Sequence, residues 1–582
     1  MIWLKMGKKE FKNLIVDGCK DNANIYKNPE MLVKYTYDAI AKQYALESMP
    51  DECREAHESG FIHWHDLEFF NTRPNCFNAD IRFIVRNGLK IDGTGVNGSV
   101  AKPAKSLEVL LNQCLQFWMA GATVFSGGQG FINFNTLLAP FARGRTYSDI
   151  KQAIQGFIYN ANMSLVCRGG QILFSNIGID LSIPEVLKNK PAYAPAGVIQ
   201  GVYGDYQEEA DLIFRAIIEV SCEKDAVGKY HRFPNLMFNI REGDLDEFKG
   251  NCRLLHEYGA NNPTWYYVNC LKKEHSQMGC RSNLEANFTG DYELDCANTG
   301  NFAYTSINLP LIALECDGDI NKFWSKLNEI CEIVYTGLIF RREEIKKVLY
   351  DYHLSDFLLQ KDIETGEPLY DLDRTTITLG FVGLYECLQV LDNRFMGQHI
   401  IKFLNDKKDE FANRDGLRWS VIASPAESTA HRFAKIIKDK YPDAPVQGDK
   451  DFYYLTNGSH IPVSDNASLI DHIKNADKYH PMTLGGNILH LWLGEVWSDP
   501  KALWKFNKRI LETGTQYWAY SKVFTWCKTC GYTINDNLDE CPICKSKDLV
   551  VMDRITGYYQ SVSGYNNGKK AEFKDRYRHG GI

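Results

Sequence analysis

The stretch LRWSVIASPAESTAHRFAKIIKDKY, residues 417–441, changes its period halfway along. Up to Ala423 it is a short apolar run, the pattern of a buried strand. From about Ala426 its apolar residues recur at the spacing of an amphipathic helix. Between the two, Ser424 stands where an N-cap belongs, Pro425 takes the first helical position, and Glu427 completes a capping box three residues on. Free amides at a helix start of this kind attract phosphate. Taken alone, the segment is also what any well-capped helix looks like.

Strand, loop and helix in that order make an α/β unit. The alternation extends to both sides, with helical periodicity in NPEMLVKYTYDAIAKQYALE (28–47) and FWSKLNEICEIVYTGLIF (323–340). Loops such as NGLKIDGTGVNGS (87–99) and CDGDIN (316–321) punctuate it. The expectation is an α/β catalytic body over 1–520, with too few residues ahead of its first helical pattern for a separate regulatory domain. Gly93, Gly95 and Gly98 match a dinucleotide fingerprint, but no convincing strand precedes them and Pro103 disrupts the following helix, so they read as a loop.

Composition narrows the function. Hydrophobic residues are 44% and charged residues 24% of 582, ordinary for a globular chain. The net charge of −7 has the wrong sign for a general nucleic-acid binder. No apolar run spans a bilayer and the start MIWLKMGKKEFKN is not a secretory signal, so a cytoplasmic protein is expected. Of 17 cysteines, all but four are scattered singly, as reduced thiols would be.

Those four change the texture after residue 520. Cys527, Cys530, Cys541 and Cys544 form two CxxC knuckles ten residues apart, with Gly531 and Pro542 suited to tight metal loops. Four thiolates close a tetrahedral Zn2+ shell and leave no position for a catalytic water. The expected module is a zinc ribbon over 521–548, bracing a tail over 549–582. Such a ribbon also occurs in nucleic-acid binders, a rival reading that the charge opposes.

The tail contains DRITGYYQSVSGYNNGKK (553–570), with two Gly-Tyr pairs seven residues apart. Other residues stand out less on their own. His57, His63, His65 and Asp66 lack the HExxH spacing and read as satisfied buried groups. Cys280, in a short Gly-bearing loop, reads alone as an inert thiol.

Taken together and in order, AHESGFIHWHD, NCFNADI, MGCRS, TSINLP, TLGFVGLYE, SPAES, the four-cysteine ribbon and RITGYYQ…NNGK resemble the anaerobic, glycyl-radical ribonucleotide reductases over about 30–582. The resemblance implies a ten-stranded α/β barrel with a finger loop around 277–285. It implies reduction of ribonucleoside triphosphates to deoxyribonucleoside triphosphates for DNA synthesis. A glycine Cα radical is stabilised by the amide on one side and the carbonyl on the other, and the missing side chain allows the planar geometry. Gly557, in Arg-Ile-Thr-Gly-Tyr, matches the family's radical glycine; Gly564 has Gln560 rather than an arginine ahead of Ser561-Val562-Ser563 and reads as a turn.

By the same resemblance Gly557 oxidises Cys280 to a thiyl radical that takes the ribose 3'-hydrogen, Cys76 faces it across the substrate, and Asn301 is the active-site asparagine. Ser282 stands where aerobic relatives carry a carboxylate, which favours formate as co-substrate and reductant. Cys296, which matches nothing in the family, leaves a dithiol donor open. Ser424 and the amides of Ala426, Glu427 and Ser428 become the substrate-phosphate site. The implied partners are a radical S-adenosylmethionine activating enzyme with an iron-sulfur cluster and a second copy of the chain, with dNTP or ATP as effectors. The short amino terminus implies that the ATP-binding regulatory domain of longer relatives is missing. The basic residues Lys569, Lys570, Lys574, Arg576 and Arg578 read as a solvated face or a contact for the activating enzyme. Another glycyl radical enzyme, an acyltransferase or dehydratase, is the alternative within this fold.

Overall fold

The computed structural model describes residues 27–165, 169–279, 281–285, 287–449 and 452–580. Helix α1 (Pro29–Ser48) begins where Asn28 accepts from Met31 N–H and Pro29 takes the first position. The chain then runs through β1 (Ile62–Trp64), β2 (Phe77–Ala79), α2 (Leu107–Val124), β3 (Gln129–Phe131), α3 (Tyr147–Met163), β4 (Ser175–Asp180), α4 (Gln207–Cys222), β5 (Asn235–Ile240), α5 (Gly250–Gly259) and β6 (Tyr266–Asn269). A hairpin follows, β7 (His275–Met278) and β8 (Ser282–Glu285). The second half is β9 (Asn301–Asn308), α6 (Ile320–Lys346), β10 (Thr376–Val382), α7 (Gly397–Asp415), β11 (Arg418–Ala423), α8 (Ser428–Lys440), β12 (Leu489–Leu493), α9 (Pro500–Leu511) and β13 (Tyr517–Lys522).

Helical crossovers make most neighbouring strands parallel, as α/β alternation requires, while β1 meets β9 antiparallel. One sheet has the order β12-β13-β6-β5-β4-β3-β2, the other β1-β9-β10-β11. Within the first, β2 to β6 are parallel and β13 meets β6 antiparallel. Strands β4, β5 and β10 are buried at every residue, the mark of parallel strands covered on both faces. Main-chain bonds also join the two sheets. Cys76 and Asn78 donate to Asn301 O and Thr299 O at 3.0 and 2.8 Å, and Gly485 donates to Val421 O at 2.8 Å. The halves thus share one interior.

Helix α8 buries Ala430, Phe433, Ala434 and Ile437 against Leu311, Val382 and Leu455. Cutting Phe433 back to alanine would cost roughly 3–5 kcal/mol. After β13 the chain forms a separate small sheet from β14 (Phe524–Cys527), β15 (Thr533–Ile534), β16 (Leu549–Arg554) and β17 (Tyr559–Ser561), in the order β15-β14-β16-β17. Helix α10 (Asn567–Asp575) follows. The cysteine module seats on the loop after α4, where Trp526 Nε1 donates to Val227 O at 2.6 Å. Gly228 sits at φ +84° with Gly531 O only 1.9 Å from where a Cβ would stand, so no side chain fits between loop and module. Among the described residues no helix is long and apolar enough to cross a membrane.

Candidate functional site

The β7–β8 hairpin bridges the two halves. On one side Asn78 Nδ2 donates to Ser276 Oγ at 2.8 Å and Gly279 N–H donates to Asn176 Oδ1 at 3.1 Å. On the other, the buried Arg281 guanidinium donates to Ala423 O and Ser424 O at 3.1 and 3.0 Å, and Asn283 N–H reaches Gly485 O at 3.1 Å. Cys280, between Gly279 and Arg281 in the chain, lies outside the described residues. Gly279 has φ +60°, and Cys76 Sγ is 3.7 Å from where its Cβ would be. The Cys76 thiol donates to Asn75 Oδ1 at 3.0 Å. Gly127 lies close against it, since a Cβ there would fall 2.4 Å from that sulfur.

The tail folds so that its two Gly-Tyr pairs part company. Arg554 and Tyr559 are the last pair of the β16–β17 ladder, and Ile555 N–H donates to Tyr558 O at 3.0 Å, leaving Thr556 and Gly557 as a two-residue tip. Gly557 is buried, whereas Gly564 is exposed in a 3-10 turn. The Gly557 carbonyl accepts from the Tyr266 hydroxyl and from Asn235 Nδ2. Arg554 lies over Tyr266 at 4.2 Å and donates to Ser521 Oγ and Pro263 O at 2.9 Å each. The basic run is only partly a solvated face, because Lys574 is exposed and Lys570 half-buried, whereas Lys569 and Arg576 are buried in ion pairs. Arg576 bonds Asp553 at 2.8 Å and Glu572 at 2.7 Å, Arg578 bonds Asp553 at 2.8 Å, and Lys569 pairs with Glu572. The carboxylates come from residues distant in sequence or one helical turn away, so a count of charges along the tail could not find them.

The start of α8 also differs from the capping-box expectation. The helix begins at Ser428 with Glu427 as its N-cap, and Ser424 directly follows β11, its N–H donating to Phe381 O at 3.2 Å. Ser424 is fully buried and its hydroxyl has no hydrogen-bond partner among the described residues. Ser424 precedes a proline, which disfavours helical backbone there. Ala426, expected as a phosphate donor, and Glu427, expected at the box, have tertiary partners instead. Ala426 N–H donates to Asn457 Oδ1 at 2.9 Å, so that amide is not open to phosphate. The Glu427 carboxylate accepts from Thr556 Oγ1 at 2.8 Å. Burial raises the Glu427 pKa above the ordinary carboxyl value, against the lowering effect of that hydroxyl and of Lys569.

These pieces meet at a cavity of about 490 Å³. Cys76, Gly127, Ser282, Ser428, Thr429, Thr556 and Tyr558 all line it. His63 and His65 form part of the wall; burial, then neighbouring positive charge, lowers the His65 pKa to about 3, so it is neutral. His65 Nε2 lies 2.7 Å from Ser306 Oγ and its ring stacks on Tyr304 at 4.1 Å. Asn301 is not on the cavity wall. Its main chain is tied to Cys76, but its amide nitrogen turns to Thr376 and to Thr378 Oγ1, the latter at 2.6 Å, and Oδ1 has no partner among the described residues. Cys296 donates to Leu284 O at 3.2 Å and packs with Met278 at the hairpin stem. Burial holds its thiol pKa well above the usual value, so it is a poor source of thiolate.

The four cysteines of the ribbon lie as their spacing predicts. Cys527 and Cys544 sulfurs are 3.6 Å apart and those of Cys530 and Cys541 3.7 Å, close to the ~3.8 Å edge of a tetrahedron with ~2.3 Å Zn–S bonds. The knuckles repeat one geometry. Gly531 N–H donates to Cys527 O and Lys545 N–H to Cys541 O, with both donors at positive φ. Among the described residues this is the one group gathered closely enough for a metal ion. Since β14 pairs with β16, ribbon and glycine turn belong to one sheet.

Tyr266, Asn235 and Gly127 escaped the sequence reading. Each acts through a tertiary contact with a residue hundreds or tens of positions away, for which adjacency along the chain carries no signal.

A family model described as anaerobic ribonucleoside-triphosphate reductase matches residues 21–579. The anaerobic ribonucleoside-triphosphate reductase of Enterobacteria phage T4 is 26% identical over 98% of this chain and 99% of its own length. A solved anaerobic ribonucleotide reductase superposes with a TM-score of 0.79 at 19% identity, covering 95% of this chain and 90% of the other. The Thermotoga maritima anaerobic ribonucleotide reductase in complex with dATP and CTP gives 0.76 at 19% identity, covering 94% and 92%. With the match running through nearly the whole body, ribbon and tail, this chain belongs to the anaerobic ribonucleoside-triphosphate reductase family.

Proposed function

We infer that this chain, as a reductase of its family, converts ribonucleoside triphosphates to 2'-deoxyribonucleoside triphosphates with a radical stored on Gly557 and passed to Cys280. One observation carries the reading. A single cavity is lined at once by Cys76, by Ser282 of the hairpin, by Ser428 and Thr429 of the α8 start, and by Thr556 and Tyr558 flanking Gly557. In this reading the Gly557 radical takes the Cys280 thiol hydrogen, the resulting thiyl radical takes the ribose 3'-hydrogen, and the 2'-hydroxyl leaves as water. Formate supplies the two electrons, so that nucleotide, formate and a proton give deoxynucleotide, carbon dioxide and water. Cys76 supports the step from the facing wall. The high pKa and bonded thiol of Cys296 favour formate over a dithiol donor that would use that residue.

The substrate phosphates sit on the free first-turn amides of α8, around Ser428 and Thr429, rather than on Ser424 or Ala426. The ribbon cysteines hold Zn2+, whose part is structural. A radical S-adenosylmethionine activating enzyme generates the radical, a second copy of the chain completes the dimer, and nucleotides act as effectors. Because Gly557 is buried, the tail has to leave the body for activation. The test is electron paramagnetic resonance after anaerobic activation. A doublet is expected in wild type and Gly564→Ala and none in Gly557→Ala; loss in Gly564→Ala alone would refute the assignment.

A further inference from the structure

Glu427 caps α8 without using its side chain on the helix. Its carboxylate reaches out of the helix start to Thr556 Oγ1 at 2.8 Å, the residue before Gly557, and Tyr558, on the other side of Gly557, also lowers its pKa. From α10, Lys569 and Glu572 face the same carboxylate. One residue earlier, Ala426 N–H holds Asn457 Oδ1, whose Nδ2 reaches Glu572 Oε2 at 3.4 Å. One residue later, Ser428 and then Thr429 line the cavity. The turn that opens α8 is therefore fastened to the tail by two side chains while its next two residues face the substrate space.

We propose that Glu427 is a positioning residue that couples phosphate binding at the α8 start to docking of the Thr556–Gly557 turn. The inference rests on the phosphate reading above. A ligand that binds only when the α8 turn is in place stabilises every contact that shares that turn, and the coupling acts equally in both directions. An occupied site then holds Gly557 inside during turnover, and an empty one releases the tail to the activating enzyme. Thr556 is the tail's half of the link.

The experiment uses the full-length, unactivated protein with inorganic tripolyphosphate as the probe. Its affinity is measured by calorimetry, and hydrogen exchange is followed over 553–561. In wild type, saturating tripolyphosphate is expected to slow exchange there at least tenfold. Glu427→Gln, which keeps an acceptor for Thr556, retains this protection. Glu427→Ala and Thr556→Val lose it, to less than twofold, and by the same linkage bind tripolyphosphate about tenfold more weakly than wild type, so their exchange is read at saturating concentration. Protection of equal size in all four proteins would overturn the coupling and leave the phosphate site standing, as would wild-type binding without protection. No binding to wild type would overturn the phosphate reading and the coupling with it. Should Glu427→Ala fail to fold, Thr556→Val carries the same test.

Discussion

Arg576 offers the sharpest measure of what keeps the tail docked. Its side chain is fully buried, bonded to Asp553 at 2.8 Å and Glu572 at 2.7 Å, and it donates to Arg554 O at 2.9 Å and Ile555 O at 3.3 Å, the residues leading into the glycine turn. Replacing it with methionine keeps most of the stem volume over Trp492, which the guanidinium now covers at 3.9 Å, and removes the charge. Removing one partner of a buried ion pair costs roughly 3–5 kcal/mol, because the other charge stays buried and unpaired. Here Asp553 keeps Arg578 and Glu572 keeps Lys569, which puts the cost near the low end, about 3 kcal/mol. At about 1.4 kcal/mol per factor of ten, the docked-to-undocked ratio falls on the order of 100-fold. Exchange of the amides in 553–561 tracks the open population and should accelerate by that factor in Arg576→Met, with β4 and β5 unchanged as internal control. Acceleration below fivefold would refute the reasoning, since it would mean that the ion pairs contribute nothing to docking beyond the desolvation they offset.

Three further outcomes are expected. Cys541→Ser should lower bound zinc from about one per chain and, because β14 pairs with β16, speed exchange over 549–554; metal loss with an unperturbed tail would separate ribbon from turn. Cys296→Ala should keep more than a third of formate-driven turnover and lose about 1–2 kcal/mol of stability, and an inactive but folded variant would restore the dithiol reading. The raised pKa of Glu427 makes its contribution to docking fully present below the ordinary carboxyl pKa and lost as pH rises through the folded value, so tail exchange should quicken over that rise in wild type and stay flat in Glu427→Gln.

What could be read along the chain was local or spaced by a fixed chemistry. The strand ending at Ala423 lies where the apolar run stops, and the ribbon cysteines gather because two CxxC knuckles admit few other arrangements. The resemblance separated Gly557 from Gly564, and burial separates them again. The helix start at 424–428 misled because a capping box is a local preference worth about 1 kcal/mol, easily outweighed when Thr556 claims the Glu427 carboxylate from afar. The basic tail misled at Lys569, Arg576 and Arg578 for a similar reason, since their counter-charges fold back onto them. The resemblance offered Asn301 as an active-site residue, but nothing along the chain could tell that its amide nitrogen faces β10.

The clamp across the glycine turn has a practical consequence. Asp553 lies before Gly557 and its partners Arg576 and Arg578 lie after it, while Tyr565 hydroxyl holds Asp553 O at 2.7 Å and Met552 pairs with Ser561. A backbone cut at Gly557 would therefore leave both ends gripped by the same contacts. The severed piece would stay seated, and the broken enzyme would keep the mass and outline of the intact one until a denaturant pulled it apart. Such molecules would be visible on a denaturing gel and hidden on a native one.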